Sequence, residues 1–195
     1  MSLKKQFNIS VWSKYKLNYW GIPKCANTSV KLALSNQTVQ NQFATSKKIH
    51  KDVTYISQTE ALNNKHINFT VVRNPYDRFI SLYKDWGLRR SNKYLNFKLP
   101  VEFDYFLDYI LDNFSTDDKS ETHFKSQSYW LTSKQKLLID NIFTVEQAQH
   151  FLSNYNLTLE LANKTTELDI LLSKKQKEKI YNRYKDDFQF FKFKK

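Results

Sequence analysis

The feature that most limits how this chain can fold is an almost continuously apolar, β-branched run at residues 67–72, Ile-Asn-Phe-Thr-Val-Val. Such a run is typical of a strand buried on both faces, as in a parallel sheet covered by helices. Asn74 and Pro75 follow almost at once. This pair is a strong helix start, with Asn as the cap and Pro at the first helical position. A buried strand that leads directly into a helix predicts an α/β fold.

The same alternation of strand and helix continues along the chain. Predicted strands lie at 16–22, near 46–50, at 67–72 and at 138–143. Predicted helices lie at 27–35, near 57–63, from 75 to about 90, and at 102–113, 144–154 and 173–190. The helix from 75 places large apolar side chains on one stripe at intervals of three and four residues. This alternation predicts an α/β fold with a mainly parallel central sheet flanked by helices.

The length and composition of the chain suit one domain. The 195 residues supply one sizeable core, and two glycines and three prolines leave little room for a hinge or linker. We therefore expect residues 1–195 to form a single domain. The one cysteine excludes an intrachain disulfide. The Cys and His spacings do not form a metal site, so no metal is predicted.

A formal net charge of +12 favours anionic partners such as a nucleotide cofactor or a polyanionic glycan. The basic residues are spread along the whole chain, whereas nucleic-acid binders tend to concentrate them on one face. No apolar run approaches the roughly 20 residues of a transmembrane helix, and the first residues lack the apolar segment of a secretory signal. We expect a cytoplasmic protein with no integral membrane segment and no specific nucleic-acid partner.

The first candidate for phosphate binding is the strand-to-helix junction at 22–30, Ile-Pro-Lys-Cys-Ala-Asn-Thr-Ser-Val. A helix N-terminus offers backbone N–H groups and the positive end of its dipole, which suits a phosphate. Lys24 adds a charge, Thr28 and Ser29 add hydroxyls, and Asn27 or Thr28 can cap the helix. An ordinary strand–turn–helix with an exposed lysine is the alternative. The G-x-x-x-x-G-K-[ST] pattern of a Walker A loop is absent.

The second candidate is the junction at 71–81, Val-Val-Arg-Asn-Pro-Tyr-Asp-Arg-Phe-Ile-Ser. Arg73 follows a buried strand at the sheet edge where open α/β folds bind ligands. A guanidinium there can hold a phosphate with two hydrogen bonds, and Ser81 can add a donor. The alternative for Arg73 is a cap or a salt bridge with Asp77. Arg78 is interpreted as structural, paired with a carboxylate.

Together these motifs resemble those of sulfotransferases that depend on 3′-phosphoadenosine 5′-phosphosulfate (PAPS), above all the Golgi-type carbohydrate sulfotransferases and their bacterial or viral relatives. Residues 23–29 look like the 5′-phosphosulfate loop, and residues 73–81 look like the 3′-phosphate motif, in which Arg and Ser stand eight residues apart. Further segments at 123–127, 139–143 and 184–188 are similar to family segments. Two positions depart from the pattern: Ala26 stands where many members carry Gly or another small residue, and Ser126 stands where Pro is usual.

The resemblance implies a three-layer, P-loop-like sulfotransferase fold. It implies transfer of a sulfuryl group from PAPS to a hydroxyl of a carbohydrate-like acceptor, with 3′-phosphoadenosine 5′-phosphate (PAP) as product. The implied catalytic residues are Lys24, beside the leaving phosphate, and His50, a general base at the family's usual offset before Arg73. His123 and Gln127 are candidates for the acceptor or cofactor pocket. The implied cofactor-binding residues are Lys24, Cys25, Ala26, Asn27, Thr28, Ser29, Arg73 and Ser81.

Other interpretations stay open at this point. On chemistry alone, His50 is little better than His123 as a general base. The chain could instead be a nucleotide-dependent, kinase-like P-loop enzyme, although neither a Walker loop nor Mg²⁺ carboxylates are visible. The net charge is also compatible with a non-catalytic module that binds polyanions. A nucleophilic role for Cys25 has no His/Asn pattern in its support.

Overall fold

The computed structural model describes residues 8–37, 49, 51, 53–89, 95, 97–118, 120–160 and 169–195. The chain divides into two compact units. We call the first, Met1–Val72 with Trp130–Asn163, the sheet unit, and the second, Arg73–Tyr129 with Lys164–Lys195, the helical unit. The helices of the described residues are all too short or too polar to cross a membrane.

The strands of the sheet unit are β1 (Ile9–Trp12), β2 (Leu17–Trp20), β3 (Tyr55–Ile56), β4 (Ile67–Val71), β5 (Thr132–Ser133), β6 (Lys136–Leu137) and β7 (Asn141–Phe143). Five of them form a mixed sheet with the strand order β3-β1-β2-β4-β7. Strands β2, β4 and β7 are parallel, whereas β1 pairs antiparallel with both β2 and β3. A two-stranded hairpin of β5 and β6 is separate from this sheet.

The prediction of a mainly parallel sheet is therefore corrected to a mixed one. The difference arises from β1 and β3, which the sequence interpretation did not include. A single turn of 3-10 helix, Ser13–Tyr15, reverses the chain after β1, and Lys16 follows in the left-handed conformation with φ 53°. So short a connection brings β2 back beside β1 as an antiparallel neighbour.

Helices cover both faces of the sheet within this unit. Leu17 and Tyr19 lie on the face that packs against α1 (Asn27–Leu34) and α6 (Val145–Ser153). The opposite face carries Asn18, because successive side chains of a strand alternate. There Asn18 Nδ2 donates to the carbonyl of Ala61 at 3.1 Å, in α2 (Gln58–Asn63). The buried amide of Asn18 is thereby satisfied.

The helical unit has a core rich in aromatic side chains, including Phe79, Trp86, Phe106, Phe124 and Tyr184. The buried stripe of the helix that begins at Pro75 is confirmed, as is the Asn cap, whose side chain accepts from the N–H of Tyr76. The helices are α3 (Pro75–Trp86), α4 (Phe103–Asn113), α7 (Lys174–Arg183) and α8 (Lys185–Phe190); α5 (Gln127–Leu131) lies where the two units join along the chain.

Several predicted boundaries differ from the structure. The predicted helix 173–190 is two helices, since Tyr184 leaves the helical conformation at φ −114° and ψ 29°. The helix from 75 ends at Trp86 rather than near 90, and the predicted strand 138–143 is reduced to 141–143. Of the strand predicted near 46–50, only Ile49 is described, and it is helical.

Candidate functional site

The loop between β2 and α1 has an unusual backbone. Lys24 and Ala26 both have positive φ angles, 68° and 54°, while Cys25 between them does not. Residues other than glycine rarely adopt this left-handed conformation, and it costs about 1 kcal/mol or more at each. Such a backbone can turn N–H groups toward an anion, although the N–H of Cys25 itself donates to the carbonyl of Ile22 at 3.3 Å.

The helix that follows this loop begins without a side-chain cap. Its N-cap is Ala26, which makes no side-chain hydrogen bond. The expectation that Asn27 or Thr28 caps the helix is therefore wrong, because both residues already lie inside the first turn. Ala26 is also the position where the resemblance implies Gly or another small residue, and glycine adopts such a left-handed φ without steric cost.

The side chains of the loop differ in how far they are buried, and this difference decides which of them a ligand can contact. Lys24 and Thr28 are half-buried and remain partly accessible. Ser29 and Cys25 are buried, so the Cys25 thiol is not placed to attack a solvent-borne substrate. A Cβ at Gly21 would lie 2.4 Å from Asn27 Oδ1, so a larger residue there would displace the Asn27 side chain.

The helix after the loop also carries a buried lysine. Lys31 is fully buried, and its Nζ donates to Asn8 Oδ1 and to the Tyr55 hydroxyl, each at 2.9 Å. Burial lowers the pKa of Lys31 from 10.5 to about 7. Nothing in the sequence distinguished Lys31 from the many surface lysines, because its burial depends on the packing of strands before and after it.

In the helical unit, Arg73 is held by its backbone. Its N–H donates to Gln127 Oε1, and its carbonyl accepts from Gln127 Nε2, both at 2.8 Å. The side chain of Arg73 is half-buried. Among the described residues its guanidinium has no hydrogen-bond or ion-pair partner, so the predicted alternative of a salt bridge with Asp77 is not formed. Ser81, on the following helix, is also half-buried.

Arg78 stabilises the backbone of the segment that leads to Gln127. Its guanidinium, almost fully buried, donates to the carbonyls of His123 at 3.2 Å and Lys125 at 2.8 Å. It also lowers the pKa of Asp187, although burial of that carboxylate has the larger effect and raises the pKa. These contacts give Arg78 a structural role.

His123 forms a dyad with Glu121. Burial alone would raise the pKa of Glu121, but hydrogen bonds and the charge of His123 outweigh it and leave that pKa below its ordinary value. An ionised carboxylate only accepts hydrogen bonds, so the Nδ1–H of His123 donates to Glu121 Oε2 at 3.0 Å. The ring, partly exposed, lies 5.0 Å from the Trp86 ring.

The predicted site residues therefore fall into two sets. The loop residues 24–29 lie together in the sheet unit, and Arg73, Ser81, His123 and Gln127 lie in the helical unit. His50 lies outside the described residues. The sequence interpretation missed Asp187, a fully buried residue within the segment 184–188, which had been matched to the family without a role.

Comparison with known proteins gives one match. A model of a family described as the sulfotransferase family matches residues 7–170, which is most of the chain and includes residues of both units. No curated protein and no solved structure matches significantly.

Proposed function

We propose a reaction for this chain, which belongs to the sulfotransferase family: it transfers a sulfuryl group from PAPS to a hydroxyl of a carbohydrate-like acceptor and releases PAP. The family match covers residues of both units, which supports treating residues 1–195 as one sulfotransferase domain with a P-loop-like fold. The net charge of +12 favours the approach of the anionic cofactor and of an anionic glycan.

The observation that carries this proposal is the half-buried guanidinium of Arg73, which none of the described residues engages. Taking arginine partly out of water without a partner costs free energy, so its position favours an anionic ligand. A phosphate accepts two hydrogen bonds from such a group. We assign Arg73 and Ser81 to the 3′-phosphate of the cofactor.

The loop before α1 suits the other end of the cofactor. The left-handed residues Lys24 and Ala26 turn the chain into the start of α1, where backbone N–H groups and the positive end of the helix dipole favour an anion. Strands β2 and β4 are adjacent and parallel, so their carboxyl ends, which precede the loop and Arg73, lie at one edge of the sheet. We assign residues 24–29 to the 5′-phosphosulfate.

Sulfuryl transfer resembles phosphoryl transfer, so positioning and electrostatics dominate catalysis. The acceptor oxygen forms a bond to sulfur while the bond from sulfur to the bridging oxygen breaks. Lys24 stabilises the negative charge that builds up on the departing phosphate. His50 accepts the proton of the acceptor hydroxyl. His123, fixed by Glu121, belongs to the acceptor or cofactor pocket, and no metal takes part in this scheme.

Calorimetry with PAP tests the assignment of Arg73. Wild-type protein binds PAP, and Arg73→Ala weakens binding by about 100-fold, because two charge-assisted hydrogen bonds are lost. Arg89→Ala is the matched control: it removes the same charge from a side chain that is 38% exposed and pairs with Asp85. A wild-type protein that does not bind PAP refutes the proposed function, and equal losses in the two variants refute the role of Arg73.

A further inference from the structure

The backbone of Arg73 is held by one side-chain amide on both of its polar groups. Gln127 is fully buried, and its amide accepts from the N–H and donates to the carbonyl of Arg73, each at 2.8 Å. Two bonds between one planar amide and one residue restrain φ and ψ of that residue together. The direction in which Cα of Arg73 projects its side chain is therefore fixed by Gln127.

Gln127 is held in turn by a carboxylate that lies 60 residues further along the chain. Asp187 Oδ2 accepts from the backbone N–H of Gln127 at 2.9 Å and from its Nε2 at 3.2 Å. Asp187 Oδ1 accepts from the N–H of Ser128 at 2.7 Å. The carboxylate thus caps the start of α5 from another helix, where the helix dipole favours negative charge.

Burial of the Asp187 carboxylate costs free energy. It is fully buried, and burial raises its pKa, although the charge of Arg78 and the N–H groups of Gln127 and Ser128 act the other way. A carboxylate in this position is stabilising only while all these partners are in place. The arrangement therefore specifies one orientation of the Gln127 amide, and through it one conformation of Arg73.

We propose that Gln127 and Asp187 are positioning residues for the 3′-phosphate site: Asp187, on the C-terminal helix α8, orients Gln127, and Gln127 fixes the backbone from which Arg73 reaches the phosphate. This inference rests on the proposed function. Neither side chain touches the ligand, and both act only through Arg73. The affinity for a 3′-phosphate therefore depends on residues 185–190, far along the chain from the 73–81 motif.

The test compares two nucleotides that differ only in the 3′-phosphate, PAP and adenosine 5′-monophosphate (AMP). The ratio of their Kd values, measured by calorimetry, isolates the contribution of that phosphate to binding. The ratio measured for Arg73→Ala gives the preference that remains when the arginine is absent. Gln127→Met keeps the shape of the side chain and removes both bonds to Arg73, while Asp187→Asn removes the charge that orients Gln127. We expect each variant to reduce the preference for PAP by about tenfold or more, with the Kd of AMP changed less than about threefold.

Tyr184→Phe is the matched control. It removes a buried hydrogen bond, from the tyrosine hydroxyl to the carbonyl of Phe124 at 3.0 Å, in the same unit and without a contact to Arg73. Thermal denaturation tests whether each variant is folded. If Gln127→Met does not fold, Gln127→Asn replaces it, because the shorter amide cannot reach both polar groups of Arg73. An unchanged PAP preference in the Gln127 and Asp187 variants, or an equal reduction in Tyr184→Phe, overturns this inference alone. A wild-type protein without any preference for PAP overturns the proposed function instead.

Discussion

Replacement of Lys31 by methionine should change how stability depends on pH. In the folded protein the Lys31 amine is fully buried and donates to Asn8 and Tyr55. Burial lowers its pKa from 10.5 to about 7. In the unfolded chain this amine is exposed to water and keeps its proton up to about pH 10. The two states therefore differ in proton content over this whole range.

The sign and the size of the effect follow from that difference. Between about pH 7 and pH 10 the unfolded chain binds more protons than the folded one, so the free energy of unfolding rises with pH. A pKa of about 7 corresponds to a gain of ~2 kcal/mol between pH 7 and pH 9. Below pH 7 the lysine is charged in both states and contributes no further slope.

Urea unfolding at a series of pH values from 6 to 9 measures this slope. Burial raises the pKa of Tyr55, so its hydroxyl keeps its proton throughout this range and does not contribute. The difference in the free energy of unfolding, wild type minus Lys31→Met, should rise by ~2 kcal/mol from pH 7 to pH 9. Lys65→Met, at an exposed lysine, should leave the slope unchanged. Parallel curves for wild type and Lys31→Met would refute the reasoning.

Two further predictions concern stability, and urea unfolding tests both. The free energy of unfolding of Ala26→Gly should stay within about 0.5 kcal/mol of wild type, because relief of the left-handed φ offsets the added flexibility of the unfolded chain. Ala33→Gly, inside α1, should lose about 1 kcal/mol or more. Equal losses in the two variants would contradict the strain at Ala26. Arg183→Met should cost about 3–5 kcal/mol, since it leaves the partly buried Asp117 without its cation. Lys179→Met, at a pair in which the side chain of Asp108 is 53% exposed, should cost less than about 1 kcal/mol. Similar losses in both would mean that burial of the Arg183 pair has little effect.

The elements that could be predicted are those specified by neighbouring residues. The buried strand β4 and helix α3 follow from an apolar run, an Asn cap, a Pro and a stripe of large side chains, and all these signals lie within 20 residues or so. Strand β1 has no such signal. Its four residues include Ser10, which is fully buried and donates to the carbonyl of Tyr19. A short strand with a polar residue facing inward lacks the alternation by which strands are recognised.

The candidate site also has parts that follow from neighbouring residues and parts that depend on residues far apart in the sequence. The Pro-Lys-Cys-Ala turn and the Arg73 motif are local patterns, and a small residue at position 26 agrees with the left-handed φ of Ala26. The contact of Asp187 with Gln127 joins residues 60 positions apart. Such a pairing is set by how helices pack, and no spacing within one segment of the sequence encodes it.

Ser126, which stands where the family pattern usually has Pro, is restrained by hydrogen bonds of its backbone and of its side chain. Proline restricts the backbone by its ring and has no N–H to donate. Here the N–H of Ser126 donates to Asp117 Oδ1 at 2.9 Å, and its hydroxyl donates to the other oxygen of that carboxylate. Arg183 donates to the same Asp117 Oδ1 at 2.8 Å.

These hydrogen bonds restrain residue 126 where a ring would otherwise do so. Burial alone would raise the pKa of Asp117, but the bonds from Ser126 and the charge of Arg183 outweigh it and lower the pKa. Asp117 therefore remains ionised, and able to accept these bonds, at neutral pH. Because Gln127 is the next residue, the anchored serine brings its amide to the backbone of Arg73. Asp117 and Arg183 thus restrain the residue that precedes Gln127, and Gln127 in turn holds the backbone of Arg73.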